Sequence, residues 1–436
     1  MAVRPLAWLC LTGSIGRSCH PAAASRDSSP SAGASTGTSA GGAAGIDASS
    51  AAGQPAPPAT PADPALLLEA LMGQHSVLAS DMMRARIRGD ADLAQAANAA
   101  LGQNTEAMAR VVQPFVDAPA QKQFTEMWAE HVLALFDYAR GHSIHDPAVR
   151  EDARRESVEY EGELAEFFVD HSGGRLDRRL ARVAVHDHAQ HLLASADAYA
   201  SGRYASAAQG YRDSYAHSYD FGATLARALM PSTVTLALDT PSVRLRSALT
   251  GLLGEHAALV MAMTRSAAGA PEDFAAMGEA LNGNTTDLTS AIDALFGRPA
   301  AQRFQSLWAD QIDQLAAYNT AAVRRDSAGQ ERAREALRSF QGSLAGFLAA
   351  TTSNRLAAPA LVQALAEHDA RLLAEINAYS AASFEQAYTL SEQIQGAMFT
   401  LSGRLADGIG ATVAARLPRG GSQTGGGGAA RTAAVQ

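Results

Sequence analysis

The chain repeats itself at a fixed separation. The stretch FTEMWAEHVLALFDY, Phe124 to Tyr138, returns as FQSLWADQIDQLAAY, Phe304 to Tyr318. Asn104 and Asn284, Pro119 and Pro299, Trp128 and Trp308, Phe167 and Phe347, Arg175 and Arg355, His188 and His368, and Tyr199 and Tyr379 all stand 180 positions apart. Only the first segment slips, with His75 and His256 separated by 181. A constant offset held over roughly a hundred residues, through several breaks, marks a duplicated structural unit. Whatever one half folds into, the other half must be able to fold into as well.

Each half reads as helical. In the leading copy Phe124, Met127, Trp128, His131, Ala134, Leu135 and Tyr138 fall at helical spacing on one largely apolar face. Asp63-Pro64 offers an N-cap and a proline at the first helical position. From there the pattern predicts six helices, over about 64–88, 91–116, 120–140, 147–170, 176–200 and 204–229. Turn chemistry separates them at Gly89-Asp90, Asp117-Ala118-Pro119, Gly141 to Pro147, Ser172-Gly173-Gly174 and Ser201-Gly202. No stretch alternates with period two for long enough to form a core strand. The expected fold is all-α: two tandem homologous helical bundles of about six helices each, over 63–230 and 243–417. Residues 231–242 read as a linker, and each unit is long enough to bury a core of its own.

The ends read differently. Residues 1–19 carry one early arginine and a short apolar run, a weak export signal with Cys19 as a candidate lipid anchor. Gly16 and Arg17 depart from a lipoprotein cleavage site. Residues 20–62 are an Ala/Ser/Gly/Pro/Thr tract too poor in large apolar groups to order, and 418–436 is a similar tail. The expected location is therefore outside the cytoplasm: periplasm, cell envelope or extracellular. A formal charge of −9 gives no basic field for nucleic acid. Cys10 and Cys19 are the only cysteines, so the bundles hold neither a disulfide nor a thiolate ligand or nucleophile. No apolar run approaches the ~18–20 residues that span a bilayer.

Histidines are the chemically informative residues. His75, His131, His188 and His217 each sit on the expected inward face of a different helix of the first bundle. Neutral imidazoles from separate helices can converge on one metal, and they suit copper or zinc among others. Met72, Met82, Met83 and Met127 lie close enough in sequence to add thioether donors, although methionine at helical spacing is more often core packing. The competing reading is polar core filler, since a single buried histidine is more often held by hydrogen bonds. The second bundle keeps His256 and His368 but has Gln311 and Ala397 at the other two places, so no four-imidazole site forms there. His142 and His145 read as loop residues. His186 and His188 point roughly 200° apart on a helix, whereas His188 and His191 share a face. Glu130 and Asp137 are candidates to support His131. Neither di-iron His/Glu spacings, a phosphate loop, a nucleophile elbow nor a Ser/His/Asp set is present.

The stretch LLGEHAAL (Leu252 to Leu259), the Asn-Thr pairs at Asn104 and Asn284, the Trp128 and Trp308 stretches and LAEHDARLL (Leu365 to Leu373) resemble a family of exported bacterial proteins built from tandem helical repeats. Members are often labelled copper amine oxidase in name, with uncharacterised activity. The resemblance spans about 64–416 and implies the fold and the exported location. The residues do not carry the label's chemistry: the Asn-Tyr-Asp/Glu setting for a quinone is missing, since Tyr318 precedes Asn319 rather than following one. The function expected is non-enzymatic, an exported or envelope-tethered protein holding copper or zinc in its first bundle. The alternatives are a metal-free structural or interaction module and, behind it, a metal-dependent oxidoreductase.

Overall fold

Aspartates cap four helices of the first half. Side chains of Asp90, Asp117, Asp146 and Asp177 accept from the backbone N–H of Leu93, Ala120, Ala148 and Leu180, at 3.2, 2.8, 2.9 and 3.1 Å. Each satisfies an orphan donor of the first turn. Asp63 works differently from the N-cap expected of it. It lies inside the first turn, and its carboxylate accepts from the Thr60 N–H at 2.8 Å and the Thr60 hydroxyl at 2.6 Å.

The computed structural model describes residues 60–267 and 270–416. The helices are α1 (Asp63–Arg88), α2 (Ala91–Val112), α3 (Ala118–Ser143), α4 (Pro147–His171), α5 (Arg178–Ala200) and α6 (Tyr204–Leu229). After them come α7 (Ser232–Thr235), α8 (Pro241–Ser266), α9 (Pro271–Phe296), α10 (Arg298–Val323), α11 (Ser327–Thr351), α12 (Ala358–Ser380) and α13 (Phe384–Arg416). The described residues contain no strand. Helices α10, α11, α12 and α13 start 180 residues after α3, α4, α5 and α6. The export signal, Cys19, most of the 20–62 tract and the tail lie outside the described residues.

Three boundaries differ from expectation. Helix α2 stops at Val112 and a 3-10 turn covers Gln113–Phe115, because Pro114 has no N–H for the helical ladder. Helix α3 runs through Gly141 to Ser143. A Cβ on Gly141 would lie 2.9 Å from the Arg150 backbone nitrogen, so this glycine serves close packing where the chain turns back into α4. The stretch 231–242 is mostly structured: α7, a 3-10 turn over Ala237–Asp239, then α8 with Pro241 in its first turn.

Helix α1 is buried on every side from His75 to Ala85, and α8 likewise from Leu253 to Ser266. A helix enclosed in this way is a core element. The approach of α6 to α1 depends on Gly222, where a Cβ would come within 2.6 Å of Glu69 Cα, and on Gly73, where it would come within 2.9 Å of the Tyr215 ring. Helix α1 also packs against α2, α3, α5 and α8. The apolar clusters do not stop at the half-way point. One joins Leu253, Trp308 and Leu372 to Val77, Tyr211 and Tyr215, and another takes Tyr388 in with Leu78, Met82 and Leu135. Residues 60–416 belong to one compact unit.

Candidate metal centre

His75 of α1, His131 of α3 and His188 of α5 meet in the interior of the first half. They are 0, 1 and 2% exposed, and each offers a ring nitrogen within 4.8 Å of those of the other two. Ring centroids are 5.7 Å apart for His75 and His131, 5.4 Å for His75 and His188, and 5.3 Å for His131 and His188. Three imidazoles bound at ~2.0–2.1 Å to one ion, at tetrahedral or trigonal angles, would place their centroids ~5.1–5.6 Å apart. The observed spacing is close to that.

The surroundings are aromatic. Tyr160 stacks on His131 at 5.0 Å and 16°, Trp128 meets His75 edge-on at 5.1 Å, and Phe221 lies 6.0 Å from His188. Burial lowers the proton affinity of all three histidines. His131 is brought down to about 4, and His75 and His188 fall well below their ordinary value, each pushed further by the neighbouring imidazoles. The rings are therefore neutral at pH 7, with lone pairs to donate.

Two hydrogen bonds orient the cluster. Trp128 donates its indole N–H to Nδ1 of His75 at 3.1 Å, and His188 Nδ1 pairs with the Ser218 hydroxyl of α6 at 3.0 Å. His75 Nε2, both nitrogens of His131 and His188 Nε2 are buried and have no hydrogen-bond partner in the protein. Four such atoms in one apolar place are costly unless something binds them.

His217 does not join them. The inward stripe of α6 passes through Ser214, Ser218, Phe221 and Leu225, which leaves His217 at its edge. The ring is half-buried, its Nε2–H donates to the Ala184 carbonyl at 3.1 Å, and its nearest imidazole is His191 at 5.2 Å. The carboxylates proposed to support His131 are also displaced: Glu130 is exposed, and Asp137 pairs with Arg140 at 2.9 Å. Of the neighbours, Tyr160 stacks on His131, while Trp128 and Ser218 bond the other two imidazoles. A tryptophan three residues before His131, on the same helical face, was the available signal for the Trp128 contact. Met72 and Met127 lie in one apolar cluster and Met82 and Met83 in another. His186 is bound to Glu161 at 2.8 Å and His142 to Asp197 at 2.8 Å.

The second half shows what the same framework does without a third imidazole. His256 and His368 are 6.4 Å apart. Gln311, at the place of His131, donates to Asp369 at 2.8 Å, and Gln341 donates to the other carboxylate oxygen at 2.8 Å. Among the described residues no other group of three or more His, Cys, Asp or Glu side chains is spaced for an ion. No family model, curated protein or solved structure matches the chain.

Proposed function

We propose that this protein is an exported transition-metal-binding protein that holds one copper or zinc ion through His75, His131 and His188. One observation carries the reading: three neutral, fully buried imidazoles from three helices each bring a ring nitrogen within 4.8 Å of the others, in a cluster where four ring nitrogens have no partner. Three nitrogens leave a fourth position for a further ligand on a tetrahedral ion, or complete a trigonal one. No carboxylate belongs to the donor set. The ion then keeps its full charge in a low-dielectric interior, which favours monovalent copper over a divalent ion. Export rests on the weak leader in residues 1–19.

The test is direct. Chelator-stripped full-length protein, made without an affinity tag, is titrated with Zn(II) and, under argon, with Cu(I). Binding of one equivalent of either, lost in His131→Gln, supports the proposal. If neither ion binds and neither shifts the melting temperature, the metal reading is wrong. The scaffold reading would then stand, and His256 and His368 already show that this fold tolerates buried imidazoles outside a three-histidine cluster.

A further inference from the structure

An ion bound at the three-histidine cluster has to reach a place that is 0 to 2% exposed. Beside it stands a second pair of imidazoles that the cluster does not use. His191 lies one helical turn beyond His188 on α5, and His217 lies next to Ser218 on α6. Their rings are 5.2 Å apart and both are half-buried. His217 spends Nε2 on the Ala184 carbonyl, so its Nδ1 keeps a lone pair in the neutral ring. His191 makes no hydrogen bond to the rest of the protein among the described residues.

We propose that His191 and His217 form a two-imidazole relay site, through which a transition-metal ion passes on its way to His75, His131 and His188. This inference rests on the metal-binding reading above. The pair adjoins the cluster: Phe221 contacts His217 at 6.5 Å and His188 at 6.0 Å. Two nitrogen donors hold a copper or zinc ion more weakly than three, so an ion moves inward down a gradient of donor number. Each step exchanges one imidazole for another and changes no oxidation state. The half without a third buried imidazole lacks the pair too: Arg371 and Ala397 stand 180 residues after His191 and His217.

The experiment separates rate from affinity. Metal-free full-length protein and the double variant His191→Gln/His217→Gln are mixed with Zn(II), and loading is followed by stopped flow. The equilibrium affinity is measured in parallel by competition with a chromogenic chelator. Glutamine keeps an N–H for the Ala184 carbonyl, and matched melting temperatures confirm that the variant folds. A relay predicts loading slowed roughly tenfold or more, with affinity and one-to-one stoichiometry unchanged. Unchanged loading would overturn it. So would loss of the bound equivalent in the double variant, which would make the pair itself the resting site. If wild-type protein takes up neither Zn(II) nor, under argon, Cu(I), the parent reading fails and the relay falls with it; where only Cu(I) binds, the same comparison is made with Cu(I).

Discussion

Trp128 Nε1 lies 3.1 Å from His75 Nδ1, and this bond decides which nitrogen of His75 carries the proton. An indole N–H only donates, so Nδ1 must accept and neutral His75 holds its hydrogen on Nε2. That hydrogen sits on a buried nitrogen with no hydrogen-bond partner in the protein. An ion bound through Nε2 requires the proton to leave Nε2 and return on Nδ1, where it would face the indole N–H. Trp128 therefore works against loading, whereas Ser218, which can accept from His188 Nδ1–H, works for it.

Two substitutions should accordingly move affinity in opposite directions. Trp128→Phe removes the bond that holds the unloaded tautomer, a contribution of about 1 kcal/mol, and should tighten metal binding by roughly fivefold to tenfold. Ser218→Ala should weaken it by a similar factor. Competition titrations read both, and the imidazole 15N shifts of His75 report the tautomer directly. Weaker binding in Trp128→Phe would show that the indole supports the ion instead of opposing it.

Helix periodicity located the architecture well because it is a local property. All six helices of the first half were readable from apolar spacing and capping aspartates, and three of the four singled-out histidines do meet. His217 was misplaced by one position on its helix. Small residues such as Gly210 and Ser214 do not say which side of α6 is turned inward, and the stripe through Ser218 and Phe221 was chosen by packing against α1 and α5. The roles of Trp128 and Ser218, and the packing of the two halves into one body, depend on contacts between distant segments, which no periodicity records.

The buried nitrogens should cost stability in the metal-free protein. His131 has two of them without partners. Its counterpart Gln311 donates its amide N–H to Asp369, but the first half has Ala189 at that place, so His131→Gln leaves that amide without its acceptor. His131→Leu instead removes the polar groups. It should raise metal-free stability by about 1–2 kcal/mol while abolishing binding, and His131→Gln should destabilise. Urea titrations of the stripped proteins compare the three. A less stable His131→Leu variant would mean that the imidazole is satisfied without an ion.

Acid should unfold the metal-free protein from a mildly acidic pH. Burial lowers His75, His131, His188, His256 and His368, with His131 and His368 at about 4 and His256 at about 3. Their unfolded forms take a proton near 6.5, so stability is complete above that pH and falls as pH drops toward the folded values. His131 alone represents on the order of 3 kcal/mol across this window. Asp369 acts with the opposite sign: burial raises it to about 6, so it loses stability as pH rises from about 4 to 6 and offsets one histidine in part. The melting temperature should fall from pH 6.5 to 4.5, less steeply in His131→Leu, and more steeply with metal bound. A flat profile over that range would show that the rings protonate freely in the folded state.

The two halves should unfold together. Arg265 of α8 is buried between them, paired with Asp81 of α1 and, at 2.9 Å, with Glu375 of α12. It also donates to Ser391 at 2.7 Å and lies 4.4 Å above the Tyr388 ring. Arg84 of α1 reaches the other way, to the Asp273 carboxylate at 3.7 Å. Burial already raises Glu375, and Arg265 is what opposes that. Replacing Arg265 by methionine leaves two buried carboxylates uncompensated, which costs about 3–5 kcal/mol. Adding Asp81→Asn and Glu375→Gln to the same chain should recover most of that loss, since neutral amides need no counter-charge. Wild-type protein should show a single urea transition by both circular dichroism and tryptophan fluorescence. The apolar clusters that join Val77 to Leu253 and Tyr388 to Leu135 carry core packing across the boundary between the halves. Two resolved transitions in the wild type would contradict this coupling and return the molecule to two independent bundles.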